Sequence, residues 1–573
     1  MCGIAGIVGN KYDSETLSKV LEKQNHRGPD FTGQWLDEHC SLGHNRLSII
    51  DLSKESNQPF VDSTERYTLV FNGEIYNYIE LKEELKASYK FVTASDTEVL
   101  IAAYSVWGSS CLSRLNGMFS FAIWDTHEKK LFAARDRFGV KPFYYNIKED
   151  TLAFSSEIKT LHALGVAKQP NKKVWANYFV YGSYGMPNET FFEHIHQLPG
   201  GHYLEFNHGK LELTQWYFFE KEIEKYKKIE TFECVKEKYT ELLIDSLSLR
   251  FRADVPVGFN VSGGLDSSAL LAFVNRFESV NQDKIKAYTF YTDDERYDEL
   301  PWVEEMIALT QNPLQKVKLL ANQSEALAEE LAYIQDEPFG GLPTIAYAQI
   351  FKQARKDGVL VLLDGQGMDE QWAGYDYYTK KNDATIQGVK RSPFRPNVLS
   401  SELLELAKKP VYPTPFDDEV LNKQYRDLFY TKIPRALRFN DRVSMAASTE
   451  LREPFLDYRL VEYAFAQPLE YKVKEGVQKF LLRAIVSEYL SDSISYAPKR
   501  PLQTPQREWL GEELKVLVTK KIEKLKTTNF VSWFNVEELD REWKNYLNGD
   551  NQSSFHIWQW VNFSMLINSE YRL

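Results

Sequence analysis

Between residues 255 and 363, short apolar runs alternate with longer amphipathic stretches. The apolar runs predict strands at 255–261, 285–291, 314–320 and 359–363, and the amphipathic stretches predict helices at 267–277, 302–310, 325–334 and 344–356. Strands that alternate with helices form a parallel sheet that is covered on both faces. We therefore expect an α/β doubly wound domain, followed from about residue 400 by a mainly helical part.

The chain before residue 210 has a different pattern. Strands are predicted at 67–72, 118–125, 130–134, 143–146 and 151–155, with helices near 14–24, 79–87 and 97–107, which favours a layered α+β domain. The charged stretch 220–230, EKEIEKYKKIE, has no compact apolar pattern. We interpret it as a linker that runs into a helix, although its charges would equally suit the solvated face of that helix. The expected domains are residues 1–215 and 216–573.

The composition excludes several classes of protein. Apolar residues make up 43% and charged residues 26% of the 573 residues, which argues against a disordered, collagen-like or coiled-coil chain. The net charge of −12 disfavours nonspecific binding to nucleic acid. No apolar run reaches the ~18 residues of a membrane span, and the N-terminus lacks a signal-peptide pattern. The cysteines, Cys2, Cys40, Cys111 and Cys234, form no CxxC pair, so we expect a reducing compartment, most simply the cytosol.

Cys2 directly follows the initiator methionine, so removal of Met1 would leave a cysteine with a free α-amine. An α-amine with a pKa of about 8 can take the proton of a thiol with a pKa of about 8.5. One residue would then carry both a nucleophile and its base. A cysteine at this position more often has no catalytic role, so the neighbouring segments decide between a catalytic and a non-catalytic Cys2.

A second chemical signal lies in FNVSGGLDSSALLAF, residues 259–273. Two adjacent glycines, Gly263 and Gly264, stand between a predicted strand and a predicted helix, where the backbone can approach an anion closely. The serine hydroxyls and the helix N-terminus add donors and a positive dipole end. Open α/β sheets bind ligands at this end of a strand. The loop is not a Walker A motif, because no GK[ST] ends it.

Six segments of the first domain resemble, in order, the glutamine amidotransferase domain of the N-terminal-nucleophile (Ntn) hydrolases: MCGIAGI (1–7), HRGPD (26–30), GHNRLSIID (43–51), FNGEIYN (71–77), SDTEVL (95–100) and ARDRFGVKPFYY (134–145). The resemblance implies an αββα sandwich in which the Cys2 thiol attacks the amide of glutamine. The implied oxyanion donors are Asn72 and Gly73. The other residues implied in glutamine binding are Arg46 as a clamp on the α-carboxylate, Asp96 and Glu74 as acceptors for the α-ammonium and the amide, and Leu47, Ser48, Ile49 and Ile50.

SGGLDSS resembles the pyrophosphate loop of ATP pyrophosphatases, which adenylate a carboxylate. LLDGQGMDEQWAGY (362–375), FNDRVSMAASTELREPFLD (439–457), GVQKFLLRAI (476–485) and APKRPLQTPQREWL (497–510) are similar to motifs of asparagine synthetases. Over about residues 1–510 the chain resembles the bacterial, glutamine-dependent members of that family. The resemblance implies that glutamine supplies ammonia, that a dry passage carries it between two sites, and that it attacks an acyl-adenylate made from ATP. Homodimers are common in that family.

The same resemblance assigns residues to the nucleotide. The implied ATP contacts are Asn260, Ser262, Gly263, Gly264, Asp266, Ser267, Ser268, Phe290, Asp364, Gly365 and Lys479. Asp266 is a poor neighbour for phosphate unless a cation intervenes, so Mg²⁺ is implied on Asp266 and Asp369. Lys479, Arg483 and Lys499 are further cations that would face pyrophosphate or developing charge, unless these side chains are solvated at a helix surface.

One position departs from the family. Asparagine synthetases usually have SGEG in the second loop, whereas this chain has DGQG, so Gln366 replaces a glutamate with a catalytic role. Glutamine has no useful pKa and cannot act as a base. Met368 is also larger than the residue usual there. DGQG and QDEPFGGLPTIAYAQIF (335–351) look more like asparagine-synthetase-like proteins of surface-polysaccharide synthesis, which amidate sugar uronates.

Because the other asparagine-synthetase motifs are complete, aspartate is the expected acceptor, and a uronic acid of a nucleotide-linked sugar is the alternative. An inactive regulatory homologue would be expected if Cys2, SGGLDSS or Asp369 were missing, and all of them are present. The intact SGGLDSS loop also argues against a glutaminase alone.

Overall fold

The computed structural model describes residues 2–9, 13–228, 230–277, 285–380, 392–497 and 504–567. Within these ranges no helix is both long enough and apolar enough to cross a membrane.

The first part of the chain forms two antiparallel sheets. Its strands are β1 (Gly3–Val8), β2 (Phe31–Leu36), β3 (Cys40–Arg46), β4 (Phe60–Val61), β5 (Tyr67–Ile75), β6 (Gly117–Asp125), β7 (Lys130–Arg135), β8 (Tyr144–Lys148), β9 (Thr151–Ser155), β10 (His196–Gln197), β11 (His202–Asn207) and β12 (Lys210–Gln215). One six-stranded sheet has the order β10-β8-β9-β1-β3-β2, and the other has the order β12-β11-β7-β6-β5-β4.

Helices cover the outer faces of both sheets: α1 (Ser14–Glu22), α2 (Tyr78–Leu85), α3 (Asp96–Trp107), α4 (Ile158–Ala163) and α5 (Lys172–Tyr181). Successive side chains of β1 point to opposite faces. Ile7 packs with Leu21 of α1 on the outside, and Ile4 packs with Val70 of β5 between the sheets. Helices α2 and α3 pack on the outer face of the second sheet. The layers are therefore α, β, β and α, which confirms the expected Ntn-type sandwich.

The described residues of the charged stretch 220–230 are folded and packed against the rest of the chain. It starts in α6 (Phe219–Glu222) and continues in a 3₁₀ turn, Ile223–Tyr226. Ile223 is fully buried, and the ammonium of Lys225 lies 2.9 Å from the Glu462 carboxylate. The long helix α7 (Phe232–Arg250) follows, as the sequence predicts.

The second part contains the expected parallel sheet, with the strand order β15-β14-β13-β16-β17. Its strands are β13 (Val257–Asn260), β14 (Lys286–Tyr291), β15 (Leu314–Lys318), β16 (Val361–Leu363) and β17 (Glu450–Arg452), and a small antiparallel pair is formed by β18 (Val473–Lys474) and β19 (Val477–Gln478). The helices between β13 and β16 are α8 (Leu265–Phe277), α9 (Leu300–Thr310), α10 (Ala321–Gln335) and α11 (Leu342–Lys356), and the short α12 (Met368–Gln371) follows β16. Strand β17 was not predicted, because it has only three residues and two of them are charged.

The remaining chain is helical, as predicted: α13 (Ser401–Leu406), α14 (Glu419–Phe429), α15 (Lys432–Ala446), α16 (Tyr458–Ala466), α17 (Leu469–Lys472), α18 (Phe480–Val486), α19 (Asp492–Ser495), α20 (Gln506–Gly511), α21 (Lys515–Leu525), α22 (Val536–Leu547) and α23 (Phe555–Leu566). Helix α23 is buried along nearly its whole length. Its Phe563 ring lies 4.7 Å from the Trp175 ring of α5, and the Gln559 amide donates to the carbonyl of Tyr178. The last described helix thus packs against the first part of the chain and shares one hydrophobic core with α5.

Candidate active site

Cys2 lies directly before β1 and is 6% exposed. Its backbone amide donates to the side-chain oxygen of Asn72 on β5, at 3.1 Å. The other end of that side chain, Asn72 Nδ2, is buried and has no hydrogen-bond partner among the described residues. A buried amide donor without a partner costs free energy unless a ligand accepts from it. The structure therefore leaves a donor beside the nucleophile, as an oxyanion site requires.

The environment of the Cys2 thiol favours its neutral form. Burial raises the pKa of the thiol, while a hydrogen bond from the Leu47 backbone and the charge of Arg46 oppose the rise. A buried neutral thiol is a weak nucleophile and needs a base beside it. The α-amine expected after removal of Met1 would provide that base.

Gly73 follows Asn72 in β5 and has a φ of 156°. A Cβ at this position would overlap the carbonyl oxygen of Met118 on β6. Only glycine therefore allows the two strands to approach this closely.

One group of the predicted glutamine-binding residues lies at the end of β3 and in the segment that follows it. The Arg46 guanidinium donates to the carbonyl of Ser53 at 2.7 Å and to the side chain of Asn57 at 2.8 Å, so the following loop fixes its orientation. The Ser48 amide donates to Asp30 at 2.8 Å. Leu47, Ile49 and Ile50 are buried in a core that also contains residues of the second part of the chain.

Two buried carboxyl groups, on β5 and at the start of α3, form the other group of predicted glutamine-binding residues. The Asp96 carboxylate, in the first turn of α3, accepts from the Ile75 amide at 2.9 Å, and burial raises its pKa to about 6. Burial and the charge of Glu450 also raise the pKa of Glu74 well above its usual range. Glu74 Oε2 lies 3.7 Å from the guanidinium of Arg452. The acceptors expected for the ends of glutamine are thus present and buried.

A residue of the HRGPD segment connects the nucleophile to the second part of the chain. Arg27 donates through Nε to the carbonyl of Cys2 at 3.0 Å. Its Nη1 and Nη2 donate to the two carboxylate oxygens of Asp441, at 2.8 and 3.1 Å, and Nη1 also contacts Glu157 at 3.1 Å. All three charged side chains are nearly inaccessible to solvent. Both segments were recognised in the sequence, but nothing in the sequence pairs residues 414 positions apart.

The glycine-rich loop lies between β13 and α8, as predicted. The Ser262 amide donates to the Ser267 hydroxyl at 3.1 Å, which closes the loop on itself. Gly263 has a φ of 68°, and a Cβ there would lie 2.9 Å from the Cβ of Trp302 on α9. The loop can therefore present its backbone to a ligand without an intervening side chain.

The second loop, which follows β16, packs directly against the first. A Cβ on Gly365 would lie 3.1 Å from the Ser267 amide nitrogen. Burial raises the pKa of Asp364 to about 6, although the Gly365 amide and the Tyr347 hydroxyl donate to it. Met368 points into the core, where its sulfur contacts the hydroxyl of Tyr239 at 3.3 Å.

Lys479 joins the two acidic residues expected to bind a metal. Its Nζ lies 2.7 Å from Asp266 Oδ2 and 2.7 Å from Asp369 Oδ1. The two carboxylates therefore converge on one cationic centre. Mg²⁺ is commonly held by one or two carboxylates plus phosphate oxygens, so this pair fits the ion. Among the described residues no larger cluster of metal-ligating side chains occurs.

A cavity of about 230 Å³ lies above these loops. It is lined by the predicted residues Ser262, Gly263, Gly264, Asp266, Ser267, Asp364, Gly365, Gln366, Asp369, Lys479 and Arg483, and by the unpredicted Glu299, Trp302, Tyr347 and Gln478. The Arg483 guanidinium donates to the carbonyls of Gln478 and Ser495, at 2.9 and 2.6 Å.

Asn260, Ser268 and Phe290 are not among the lining residues; they lie in or beside the sheet behind the cavity. Both polar atoms of the buried Asn260 side chain have no hydrogen-bond partner among the described residues. Lys499 falls outside the described residues.

A second, small cavity of about 10 Å³ lies between the two parts of the chain. Its walls include Tyr76 and Met118 from the first part and Arg250, Glu453 and Leu456 from the second. A space of this size admits about one water-sized molecule.

Comparisons with known proteins agree with this arrangement. A family model described as "Glutamine amidotransferase domain" matches residues 1–217, and one described as "Asparagine synthase" matches residues 238–568. "Asparagine synthetase [glutamine-hydrolyzing] 3" of Bacillus subtilis (strain 168) is 31% identical, over 87% of this chain and 86% of the relative. "Putative asparagine synthetase [glutamine-hydrolyzing] 2" of Methanocaldococcus jannaschii is 34% identical, over 70% of this chain and 81% of the relative.

A relative with a different name is similar over a greater length. "Amidase chry2" of Gibberella zeae is 27% identical, over 93% of both chains. The matched domains cover both candidate sites in a single polypeptide. The chain belongs to the asparagine synthase family and is a glutamine-hydrolysing ligase of the asparagine synthetase type.

Proposed function

We propose that the enzyme transfers ammonia from glutamine to an adenylated carboxylate, with aspartate as the acceptor and asparagine, AMP and pyrophosphate as products. The main support is that both half-sites occur in one chain and that a small cavity is lined by residues of both parts, among them Met118, whose carbonyl lies against Gly73, and Glu453, which follows the residue bonded to the Asp364 amide. Ammonia that crossed bulk water at neutral pH would be protonated and lose its nucleophilicity. The proposal therefore includes a passage through this cavity.

In the glutaminase half, the Cys2 sulfur would attack the side-chain carbonyl of glutamine, assisted by its own α-amine. Asn72 Nδ2 and the Gly73 amide would donate to the oxyanion, a contribution of about 3–4 kcal/mol for one donor. The C–N bond then breaks and ammonia leaves, and water hydrolyses the thioester to glutamate. Arg46 would hold the α-carboxylate and Asp96 the α-ammonium, because each carries the charge opposite to that of the group it would bind.

In the synthetase half, the family uses ATP. The loop of Gly263 and Gly264 and the start of α8 would hold phosphate oxygens through backbone amides. Asp266 and Asp369 would bind Mg²⁺, which neutralises phosphate charge when it is present. Lys479, released from these carboxylates, would then face pyrophosphate, and Arg483 would add a second cation. For Lys499, the role that the family implies, a cation facing pyrophosphate or developing charge, stays a prediction.

A different acceptor has specific support. Gln366 lines the nucleotide cavity in place of the family's glutamate. Relatives named "Amidase chry2" and "Amidase chyE" match more than nine-tenths of this chain, at 27% and 28% identity. The second candidate is therefore the same reaction on another carboxylate, such as the uronic acid of a nucleotide-linked sugar.

The deciding experiment incubates the purified enzyme with glutamine, Mg-ATP and one acid at a time. The panel contains L-aspartate, L-glutamate, free uronic acids and a nucleotide-linked uronate. AMP formed only with aspartate supports asparagine synthesis, and AMP formed only with a uronate supports the alternative. If no acid gives AMP, the proposed ligase activity is wrong.

Two variants separate the half-reactions. Cys2→Ala should abolish turnover with glutamine but keep turnover with ammonium chloride, because it removes only the nitrogen source. Asp266→Ala should abolish pyrophosphate release and leave some glutaminase activity. Loss of both activities in Cys2→Ala would contradict this division of labour.

We further propose a domain boundary near residue 215, a homodimer, and a reducing compartment such as the cytosol. The boundary is supported by the two family matches, which end at residue 217 and resume at residue 238. The compartment is supported by four free thiols. Analytical ultracentrifugation measures the oligomeric state.

A further inference from the structure

Two carboxyl groups lie side by side at the edge of the sheet where the nucleotide loops begin. Strands β16 and β17 are parallel, with Leu363 opposite Arg452. Asp364 follows β16 and Glu453 follows β17, and the Asp364 amide donates to the carbonyl of Arg452 at 3.0 Å. The topology therefore places Glu453 next to the loop in which Gln366 replaces the family's glutamate.

Glu453 lines one cavity, and its neighbour on the adjacent strand end, Asp364, lines the other. The Glu453 side chain lines the small cavity at the interface of the two parts, together with Arg250 and Leu456. Leu456 also separates that cavity from the second loop, because a Cβ on Gly367 would lie 2.7 Å from the Leu456 side chain. Asp364 and Tyr347, whose charges interact with Glu453, line the nucleotide cavity.

The Glu453 carboxyl group has an unsatisfied oxygen. The residue is 4% exposed, and Oε2 has no hydrogen-bond partner among the described residues. Glu453 interacts electrostatically with Asp364, Lys141, Arg250 and Tyr347, and the charged residues Asp136 and Arg137 line the same small cavity. Burial and the neighbouring Asp364 raise the pKa of Glu453 well above its usual range, while Lys141 and Arg250 oppose the rise. A buried, unpaired oxygen on a residue that lines a cavity is available to a hydrogen-bond donor that enters the cavity.

We propose that Glu453 binds the incoming nitrogen and accepts the proton that this nitrogen loses when it attacks the acyl-adenylate. The inference rests on the proposed function and replaces the base that Gln366 cannot provide. The nitrogen lone pair forms the C–N bond to the acyl carbon, and the bond from that carbon to the phosphate oxygen breaks, with its electron pair leaving on AMP. One N–H proton passes to the Glu453 carboxylate, which releases it to solvent before the next turnover.

The test separates adenylation from amide formation. Wild type, Glu453→Gln and the double variant Gln366→Glu/Glu453→Gln are assayed with Mg-ATP, ammonium chloride and the acid that gives AMP in the panel above. We expect Glu453→Gln to keep ATP–pyrophosphate exchange and to lower the amide formed by about 100-fold, the usual contribution of a general base. The double variant should recover most of that loss, because it returns a carboxylate to the family's position.

A pH profile and a matched control exclude a structural role. In Glu453→Gln the rate with ammonium chloride should rise about tenfold per pH unit below the pKa of ammonium, because only free ammonia reacts. Wild type should rise more steeply wherever Glu453 is still partly protonated, because it needs both free ammonia and the Glu453 carboxylate. Glu462→Gln removes another buried glutamate, which pairs with Lys225 and Tyr217 and lines neither cavity. It should leave the ratio of amide to pyrophosphate unchanged.

Three results would overturn the assignment: an unchanged ratio in Glu453→Gln, equal losses of exchange and amide formation in that variant, or no recovery in the double variant. If wild type itself gives no AMP with any acid, it is the proposed function that fails, and not this assignment.

Discussion

The bridge between Arg27 and Asp441 gives the most direct test of how the two halves depend on each other. Asp441→Asn removes the charge that faces two guanidinium nitrogens at 2.8 and 3.1 Å, in a site where the side chains are 0% and 4% exposed. Breaking a buried ion pair by removing one partner costs about 3–5 kcal/mol. Arg27 keeps Glu157 at 3.1 Å, so we expect the lower end, about 3 kcal/mol.

Urea unfolding followed by tryptophan fluorescence measures this loss. With a slope of about 3 kcal/mol per molar urea, the midpoint should fall by about 1 M. Burial alone would raise the pKa of Asp441, but the charges of Arg27 and Lys141 hold this pKa below its ordinary value. The contribution of Asp441 is therefore complete above about pH 4 and is lost as the pH falls further, so wild type and variant should converge in acid.

The same substitution should affect chemistry at a distance. Arg27 also donates to the Cys2 carbonyl, so we expect kcat/KM for glutamine hydrolysis to fall by about tenfold. Asp294→Asn is the matched control, because the partner of Asp294, Arg296, is largely exposed, and neither property should change. An unchanged midpoint and unchanged glutaminase kinetics in Asp441→Asn would refute the argument that this bridge supports the nucleophile.

Three further predictions concern single residues. Because burial raises the pKa of Asp96 to about 6, KM for glutamine should rise as the pH falls below 6, and Asp96→Asn should show a high KM without this pH dependence. Lys479→Met leaves the Asp266 and Asp369 carboxylates without a shared cation, so the midpoint of thermal unfolding in EDTA should fall below that of wild type. Millimolar Mg²⁺ should then raise the midpoint of the variant more than it raises that of wild type. Gly374→Ala places a Cβ onto Asp369 Oδ1, so pyrophosphate release should fall at least tenfold while glutaminase activity persists. Pyrophosphate release equal to that of wild type would contradict the close packing of Gly374 against Asp369.

Long elements with clear periodicity could be predicted from the sequence. The strands and helices between residues 255 and 363 lie within a few positions of the expected ones, because the inner strands β13, β14 and β16 are mostly apolar and largely buried. The loop of Gly263 and Gly264 was located because its chemistry is local. By contrast, β1 is buried on both faces and reads as GIAGIV, so it shows no alternation of polar and apolar residues.

Long-range pairings could not be predicted from one sequence. The meeting of Arg27 with Asp441, and the position of Glu453 beside Asp364, depend on how distant segments pack. No local pattern indicates such contacts, since charged residues are usually at the surface. Lys479 was expected to be a cation near phosphate, but its pairing with both Asp266 and Asp369 was not anticipated.

The position of α23 has a consequence for folding. Its Phe563 and Gln559 contact α5, and Gln559 and Tyr178 are 381 positions apart in the chain. Until α23 has been synthesised and has packed, the apolar side chains of α5 that it covers lack this partner. We therefore expect a shortened chain without α23 to aggregate more readily than the full chain.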